Sequence, residues 1–244
     1  MKYAVISDIH GNLEALHAVL RDIRRRGIDT VLCLGDIVGY YPNPRQCIEL
    51  VRDNAAFCVA GNHDYGAIEK TDTSCFTYFA FTAMEWTKGQ IAGADREFLS
   101  ALPLTCEVGD DILLVHSSPS EPDQFSYVFP DNEYSVFEAF SHLTRRVTFI
   151  GHTHWPSIMY QEGDTVMLNS ETTVGIEDNC TYLINVGSVG QPRDFDSRSC
   201  YAIYDASVGI VSLHRVAYNY KVTQKKILEH ELPAFLAERL EKGR

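Results

Sequence analysis

Five short apolar runs in the first 154 residues each end next to side chains that can bind a metal ion. Short apolar runs of this kind predict buried β-strands. The polar residues that follow them are, in chain order, Asp8 and His10, Asp36, Asn62 with His63, His116, and His152 with His154. Singly, each has an ordinary explanation as a turn, a loop start or a satisfied histidine. We expect the five strand ends to lie at the same end of one sheet, where ligands bind in open α/β folds.

Helical patterns separate the first three runs. Apolar residues recur at helical spacing over residues 13–26, and Gly27 closes that segment. Residues 44–53 predict a second helix, with Asn43 as its N-cap and Pro44 at its first position. Strand, helix, strand, helix, strand in this order predicts a parallel sheet with right-handed crossovers. The run 55–59 is expected to be a buried strand of that sheet.

The second half of the chain is less regular. Helices are predicted over residues 74–88, 94–102, 134–143 and 232–240, and short strands are expected from Ser157 onward. The first of these helices is rich in aromatic residues, and we expect that stripe to face the core. Residues 120–130 contain two prolines and three aromatic residues, and we expect a loop that shields a site.

Composition bounds the class of protein. With 244 residues and no linker or repeat, we expect one domain, residues 1–244. The net charge of −12 argues against nucleic acid or an anionic membrane as a partner. A carboxylate at position 8 comes too early for a signal peptide, and the seven cysteines form no Cys-x-x-Cys pair. We therefore expect a cytoplasmic protein with reduced thiols.

The candidate ligands favour a site for two metal ions. Two cations ~3.5–4 Å apart can clamp the attacking and leaving oxygens of a phosphoryl displacement. Mixed carboxylate, amide and imidazole ligands suit manganese, iron, zinc or nickel, and the lack of cysteine argues against a closed structural zinc site. In Gly61-Asn62-His63-Asp64, His63 can carry a proton and Asp64 can hold an imidazole in place. The alternative is a polar turn that caps the following helix.

The ordered motifs resemble those of the calcineurin-like metallophosphoesterases. They are Asp8-Ile9-His10, Gly35-Asp36, Gly61-Asn62-His63-Asp64, His116 and Gly151-His152-Thr153-His154. The resemblance implies an α/β fold, a four-layer α-β-β-α sandwich with two facing mixed sheets. It also implies that Asp8, His10 and His154 hold one metal, that Asn62, His116 and His152 hold the other, and that Asp36 bridges them.

The same resemblance implies a mechanism. A hydroxide that bridges the two metals would attack phosphorus in line, and His63 would be the general acid, oriented by Asp64. The alternative role for His63 is phosphate binding without proton transfer. We expect two divalent ions per chain, first of all manganese, with iron, nickel or zinc as alternatives.

Within the family, the Ser/Thr protein phosphatases carry Gly-Asp-x-x-Asp-Arg-Gly and Arg-Gly-Asn-His-Glu, and both arginines are missing here. Residues 35–44 and 185–194 instead resemble the compact prokaryotic phosphodiesterase branch. Tyr41 stands where that branch often has glycine, and we expect its ring to narrow the cleft. Arg193 is a candidate contact for the substrate phosphate; its alternative is a surface ion pair with Asp194 or Asp196.

These observations predict an enzyme that hydrolyses small phosphodiesters. The alternatives are a phosphomonoesterase or a phosphatase for nucleotides or dinucleoside polyphosphates and, from another class, a non-catalytic scaffold of the same fold. The expected partner is a small phosphate ester, with neither nucleic acid nor membrane involved, and the oligomeric state stays open.

Overall fold

Two six-stranded sheets form the centre of the structure, a computed structural model that describes residues 1–244. In spatial order, the first sheet contains β3 (Ala55–Cys58), β2 (Thr30–Cys33), β1 (Lys2–Ile6), β11 (Ser199–Asp205), β12 (Ile210–Val216) and β9 (Thr173–Gly175). The second contains β4 (Thr105–Val108), β5 (Ile112–Val115), β6 (Val147–Ile150), β10 (Cys180–Asn185), β7 (Ser157–Glu162) and β8 (Thr165–Asn169).

Eight helices accompany the sheets. They are α1 (Leu13–Arg25), α2 (Pro44–Asn54), α3 (Asn62–Ala67), α4 (Tyr78–Gln90), α5 (Ala94–Ala101), α6 (Glu133–Ser141), α7 (Tyr220–Glu229) and α8 (Ala234–Lys242). None of them is both long enough and apolar enough to cross a membrane.

Both sheets are mixed. In the first, β1, β2 and β3 are parallel, as the sequence predicts, whereas β11 runs antiparallel to β1. In the second, β5, β6 and β10 are parallel, and β4, β7 and β8 pair antiparallel with their neighbours. The parallel strands form one half of the first sheet, from the edge strand β3 to β1, and the centre of the second sheet, and antiparallel strands lie beside them in each.

Alternating side chains on the strands divide the core into layers. Along β1, Val5 belongs to the core between the two sheets, where it joins Phe149 of β6, while Ala4 and Ile6 face the opposite way. On that outer face they pack with apolar residues of α1 and α2. On the outer face of the second sheet, Phe140 of α6 packs in the same manner. The predicted four-layer α-β-β-α sandwich is confirmed.

Two predictions about strands are wrong in detail. The run around β3 forms an edge strand, and Phe57 is 40% exposed because β3 has a partner on one side only. The five strand ends do not belong to one sheet: β1, β2 and β3 lie in the first, and β5 and β6 in the second. The two sheets face each other, so the ends still meet.

The aromatic-rich segment is also different from the prediction. Helix α4 begins only at Tyr78, with the Thr77 side chain as its cap, and Tyr78 and Phe81 are exposed. The fully buried residues of this helix are Ala80, Ala83, Met84 and Thr87 rather than its aromatic residues. The expected core-facing aromatic stripe is therefore confirmed only in part: Phe79 and Trp86 pack against a buried cluster, whereas Tyr78 and Phe81 do not. Phe76, which precedes the helix, lines the site described below.

Candidate metal centre

The strand ends converge in a strained backbone. Asp8, His10, Asp36, His152 and His154 all have φ between 51° and 65°, a region that L-residues rarely occupy. Hydrogen bonds between loops hold this conformation: the backbone N–H groups of Ile9 and His10 both donate to the Asp36 carbonyl, at 2.8 Å each. Strain of this kind is typical of functional sites, where the surrounding structure enforces it.

The predicted ligand atoms form two adjoining groups. In the first, His154 Nε2 lies 3.1 Å from Asp8 Oδ1 and 3.0 Å from His10 Nε2. The second comprises Asp36, His116 and His152. Asp36 Oδ2 lies 3.6 Å from His10 Nε2 and 3.4 Å from His116 Nε2, so this one oxygen stands between the two groups.

Several of these atoms are buried without a hydrogen-bond partner. They are Asp8 Oδ1, Asn62 Oδ1, His116 Nε2 and His152 Nε2. Buried polar atoms in folded proteins are almost always paired, and each exception needs an explanation. All four are atoms of the type that ligates a divalent cation. The residues present therefore fit a metal centre.

Backbone carbonyls orient three of the histidine rings. Nδ1 of His10, His116 and His154 lies 3.1, 2.8 and 2.6 Å from the carbonyl oxygens of Val38, Leu34 and Gln191, respectively. Because a carbonyl only accepts, Nδ1 carries the proton in each ring, and Nε2 faces the centre. This is the usual arrangement around histidine ligands.

The charge of the centre also favours bound metal ions. Asp8 and Asp36 are buried, and their ion-pair partners are histidines only. Burial opposes their ionisation, yet nearby histidines, chiefly His154 for Asp8 and His116 for Asp36, hold the pKa of each carboxyl well below its usual range. Burial disfavours the charged form of His116, but Asp36 and Asp8 outweigh it and raise its pKa to about 10. Two buried anions with no Lys or Arg partner favour bound cations.

Two glycines allow the loops to approach these carboxylates. A Cβ on Gly61 would overlap Asp36 Oδ1, and a Cβ on Gly151 would overlap Ser7 Oγ and lie 2.5 Å from Asp8 Oδ2. The second approach permits the hydrogen bond from the backbone N–H of His152 to Asp8 Oδ2, at 3.0 Å. The motif glycines are thus needed for the close contact itself.

His63 and Asp64 are both at the centre but do not contact each other by a hydrogen bond. The His63 backbone N–H donates to Asp36 Oδ1 at 2.8 Å, and His63 Nδ1 is buried without a partner. The Asp64 carboxylate accepts from the backbone N–H groups of Gly61 at 3.0 Å, Ile37 at 2.9 Å and Val38 at 3.3 Å. The prediction that Asp64 orients His63 is wrong; Asp64 instead fastens the start of α3 to the loop after β2.

Burial also shifts the acidity of this pair. It lowers the pKa of His63 to about 4, so the ring is neutral near pH 7. Burial, together with the neighbouring Asp36 carboxylate, raises the pKa of Asp64 to about 7.

Arg193 lies at the centre without a carboxylate partner. Its guanidinium donates to Gln191 Oε1 at 2.8 Å and to the Tyr40 hydroxyl at 3.3 Å. The alternative of an ion pair with Asp194 or Asp196 is wrong, because these carboxylates pair with Arg215 and Arg198.

Tyr41 does not line the cleft. Its side chain is fully buried, and its hydroxyl accepts a hydrogen bond from Gln191 Nε2 at 2.8 Å. The prediction that Tyr41 narrows the cleft is therefore wrong, and the preceding residue, Tyr40, lines it instead.

Aromatic side chains surround the rest of the opening. As expected, the loop 120–130 lies over the site: Tyr127 stacks on His152, with ring centroids 4.0 Å apart, and Phe125 lies 6.1 Å from His116. The ring centroid of Phe76 lies 4.8 Å from that of His63, and the sequence did not predict Phe76 at the site. The cap-forming Thr77 was the available signal that Phe76 lies outside the helix.

The family model for calcineurin-like phosphoesterases matches residues 1–181. The chain belongs to this family. A metallophosphoesterase from Sphaerobacter thermophilus is 37% identical, with a TM-score of 0.86 over 100% of this chain and 99% of that one. The chain is thus a metal-dependent phosphohydrolase that uses divalent metal ions.

Two further relatives extend along the whole chain. A protein of Methanocaldococcus jannaschii, named uncharacterized protein MJ0912, is 42% identical over 99% of this chain and 98% of its own length. The crystal structure of hypothetical protein PH1004 from Pyrococcus horikoshii has a TM-score of 0.78 at 22% identity, covering 100% of this chain and 98% of that one. The latter likeness concerns the fold alone.

Replacing Gly61 by Ala tests the close approach at the centre. The added Cβ would displace Asp36, so we expect Gly61→Ala to bind less metal after loading with Mn²⁺ and dialysis, and to lose activity by at least about 10-fold. The matched control is Gly89→Ala in α4, where a Cβ would meet nothing within 4 Å. It should keep its metal content and gain about 0.5–1 kcal/mol of stability. Equal metal content in the two variants would contradict this role of Gly61.

Proposed function

We propose that this chain hydrolyses small phosphodiesters with two divalent metal ions, in the compact prokaryotic phosphodiesterase branch of its family. The observation that carries the proposal is the set of buried, unpartnered ligand atoms on either side of Asp36 Oδ2. We also propose manganese as the native metal, a cytoplasmic location, and residues 1–244 as one catalytic domain. The proposal of a single domain is supported by Gln191 and Arg193, which lie beyond the residues that the family model matches and yet belong to the site.

Asp8, His10 and His154 would hold one ion, and Asn62, His116 and His152 the other, with Asp36 shared between them. When bound, the ions supply Lewis acidity that activates a water molecule and neutralises charge on the phosphate oxygens. The protein's own contribution is to keep these ligands in place before substrate binds. The strained backbone and the carbonyl-bound imidazoles provide that preorganisation.

Arg193 would bind a phosphate oxygen of the substrate. Its guanidinium is held in place by Gln191 and Tyr40 while lacking an acidic partner, so it can accept an anion without breaking an ion pair. A single guanidinium suits the one negative charge of a diester, since both arginines of the protein-phosphatase motifs are absent. This charge balance favours diesters over monoesters, whose phosphate carries a second charge.

The function is tested by metal analysis together with hydrolysis of two substrates. After stripping and reloading with manganese, iron, nickel or zinc, the protein should hold two ions per chain and cleave bis-p-nitrophenyl phosphate faster than p-nitrophenyl phosphate. Asp36→Ala should abolish both metal binding and hydrolysis because it removes the shared ligand, whereas Asp110→Ala, at an exposed turn, should change neither. Faster monoester cleavage would favour the phosphatase, and fewer than two ions under every condition would exclude the mechanism.

His63 is the proposed proton donor to the leaving oxygen. Burial keeps the ring neutral in the free protein, but an anionic phosphate beside it favours the protonated form. We expect His63→Ala to keep both ions and to slow hydrolysis about 10²–10⁴-fold for poor leaving groups, and much less for p-nitrophenolate. The measurement is kcat across a series of aryl esters of increasing leaving-group pKa. Equal slowing along the series would mean that His63 binds phosphate without transferring a proton.

Arg193→Met tests the phosphate contact. A charged hydrogen bond is worth ~1.5–3 kcal/mol, so we expect kcat/KM for the diester to fall about 10- to 150-fold while the metal content stays unchanged. Arg198→Met is the matched control, because Arg198 is exposed and pairs only with Asp196. If both variants retain the original kcat/KM, Arg193 does not contact the substrate.

A further inference from the structure

We propose that the cleft beside the metal centre binds a nucleobase of the substrate, so that the natural diester carries a nucleoside on one side of its phosphate. The inference rests on the proposed function and goes beyond it by naming the chemistry of one substituent. It is carried by the position of the cleft, by its walls and by the charge at its rim.

The cleft lies on one side of the centre. It has a volume of about 230 Å³ and reaches Asn62, His63 and His152, whereas Asp8, His10 and His154 do not line it. It therefore opens over the ion that Asn62 and His152 would hold, away from the first ion. A phosphate seated between the two ions can extend one of its ester groups directly into this cleft.

Aromatic rings form the walls of the cleft. The four rings belong to Tyr40, Phe76, Phe125 and Tyr127. Tyr127 is already stacked on both His152, at an interplanar angle of 15°, and Phe129, at 19°, so the rings left to contact a ligand are those of Tyr40, Phe76 and Phe125. Stacking on aromatic side chains is the common way in which proteins hold single nucleobases. Flat walls favour a planar ring over an alkyl chain.

The rim of the cleft carries acceptors for N–H groups. Asp72 and Gln124 lie there. The Asp72 carboxylate accepts from the Ser74 backbone N–H at 2.8 Å and from the Ser74 hydroxyl at 2.7 Å. Because a carboxylate has about four lone-pair positions, it can still accept from the N–H groups of a base.

The negative charge of Asp72 excludes other substituents. It disfavours a second phosphate or a carboxylate in the cleft, and no Lys or Arg side chain lines the cleft. Arg193 contacts the cleft only through its aromatic walls, donating to the Tyr40 hydroxyl at 3.3 Å, while the residues that line the cleft are aromatic, polar or acidic. A neutral ring that bears N–H groups fits a cleft of this composition.

The test uses three diesters that share one leaving group. They are the p-nitrophenyl esters of methyl phosphate, phenyl phosphate and thymidine 5′-phosphate, assayed with the Mn²⁺-loaded protein. We expect kcat/KM to be at least about 10-fold higher for the thymidine ester than for the methyl ester, with the phenyl ester between them. Asp72→Asn should lower the thymidine-to-phenyl ratio about 5-fold or more, whereas Asp110→Asn should leave it unchanged.

The outcomes separate this inference from the proposed function. If the methyl ester is cleaved as well as the thymidine ester, the nucleobase proposal is overturned while the phosphodiesterase stands. Equal rates for the phenyl and thymidine esters would mean that the cleft accepts any aryl group, and this result would also overturn the nucleobase proposal. If no ester is cleaved with any metal, the proposed function fails, and calorimetric titration of the Mn²⁺-treated protein with thymidine, against ribose, decides whether the cleft binds a base.

Discussion

Two buried carboxylates without a Lys or Arg partner are the constraint on which the rest of this structure depends. Asp8 and Asp36 lie at the ends of adjacent parallel strands, and their ion-pair partners are histidines only. Removing two carboxylates from water costs several kcal/mol, and without a Lys or Arg partner such a pair favours bound cations. The positive φ angles, the close-packed glycines and the carbonyl-bound imidazoles all keep acceptor atoms aimed at that one space.

The surroundings of the metal centre are asymmetric, and this asymmetry allows the site to bind a substrate in one orientation. Arg193, held by Gln191 and Tyr40, supplies a positive charge, whereas Phe76 and Phe125 form apolar walls of the cleft. Tyr40 takes part in both, since it binds the guanidinium and also lines the cleft. A diester has one negative charge and two ester groups, and a site with unlike surroundings is able to distinguish two ester groups that differ.

Sequence reasoning was most successful where chemistry is local. A strand followed at once by a metal-capable residue is visible along the chain, so all seven candidate ligands could be named before the structure was known. It failed where contacts with distant residues determine the burial of an element. β3 is an edge strand because no strand pairs with its second side. Helix α4 buries alanines because it begins at a later residue than the aromatic pattern suggests. Tyr40 and Tyr41 are adjacent, yet only their packing shows that the first faces the cleft and the second the core.

The sequence by itself therefore determined the family, the layered α/β architecture and the list of candidate ligands, because these depend on residue type, order and strand periodicity. Only the tertiary structure decided how the ligands group around Asp36, that Asp64 binds backbone rather than His63, and that Arg193 has no acidic partner. Those facts depend on contacts between residues up to about 180 positions apart, such as the Ser188 hydroxyl on the Asp8 carbonyl. No local sequence pattern encodes contacts between residues so far apart in the chain, because these contacts form only when the two sheets face each other.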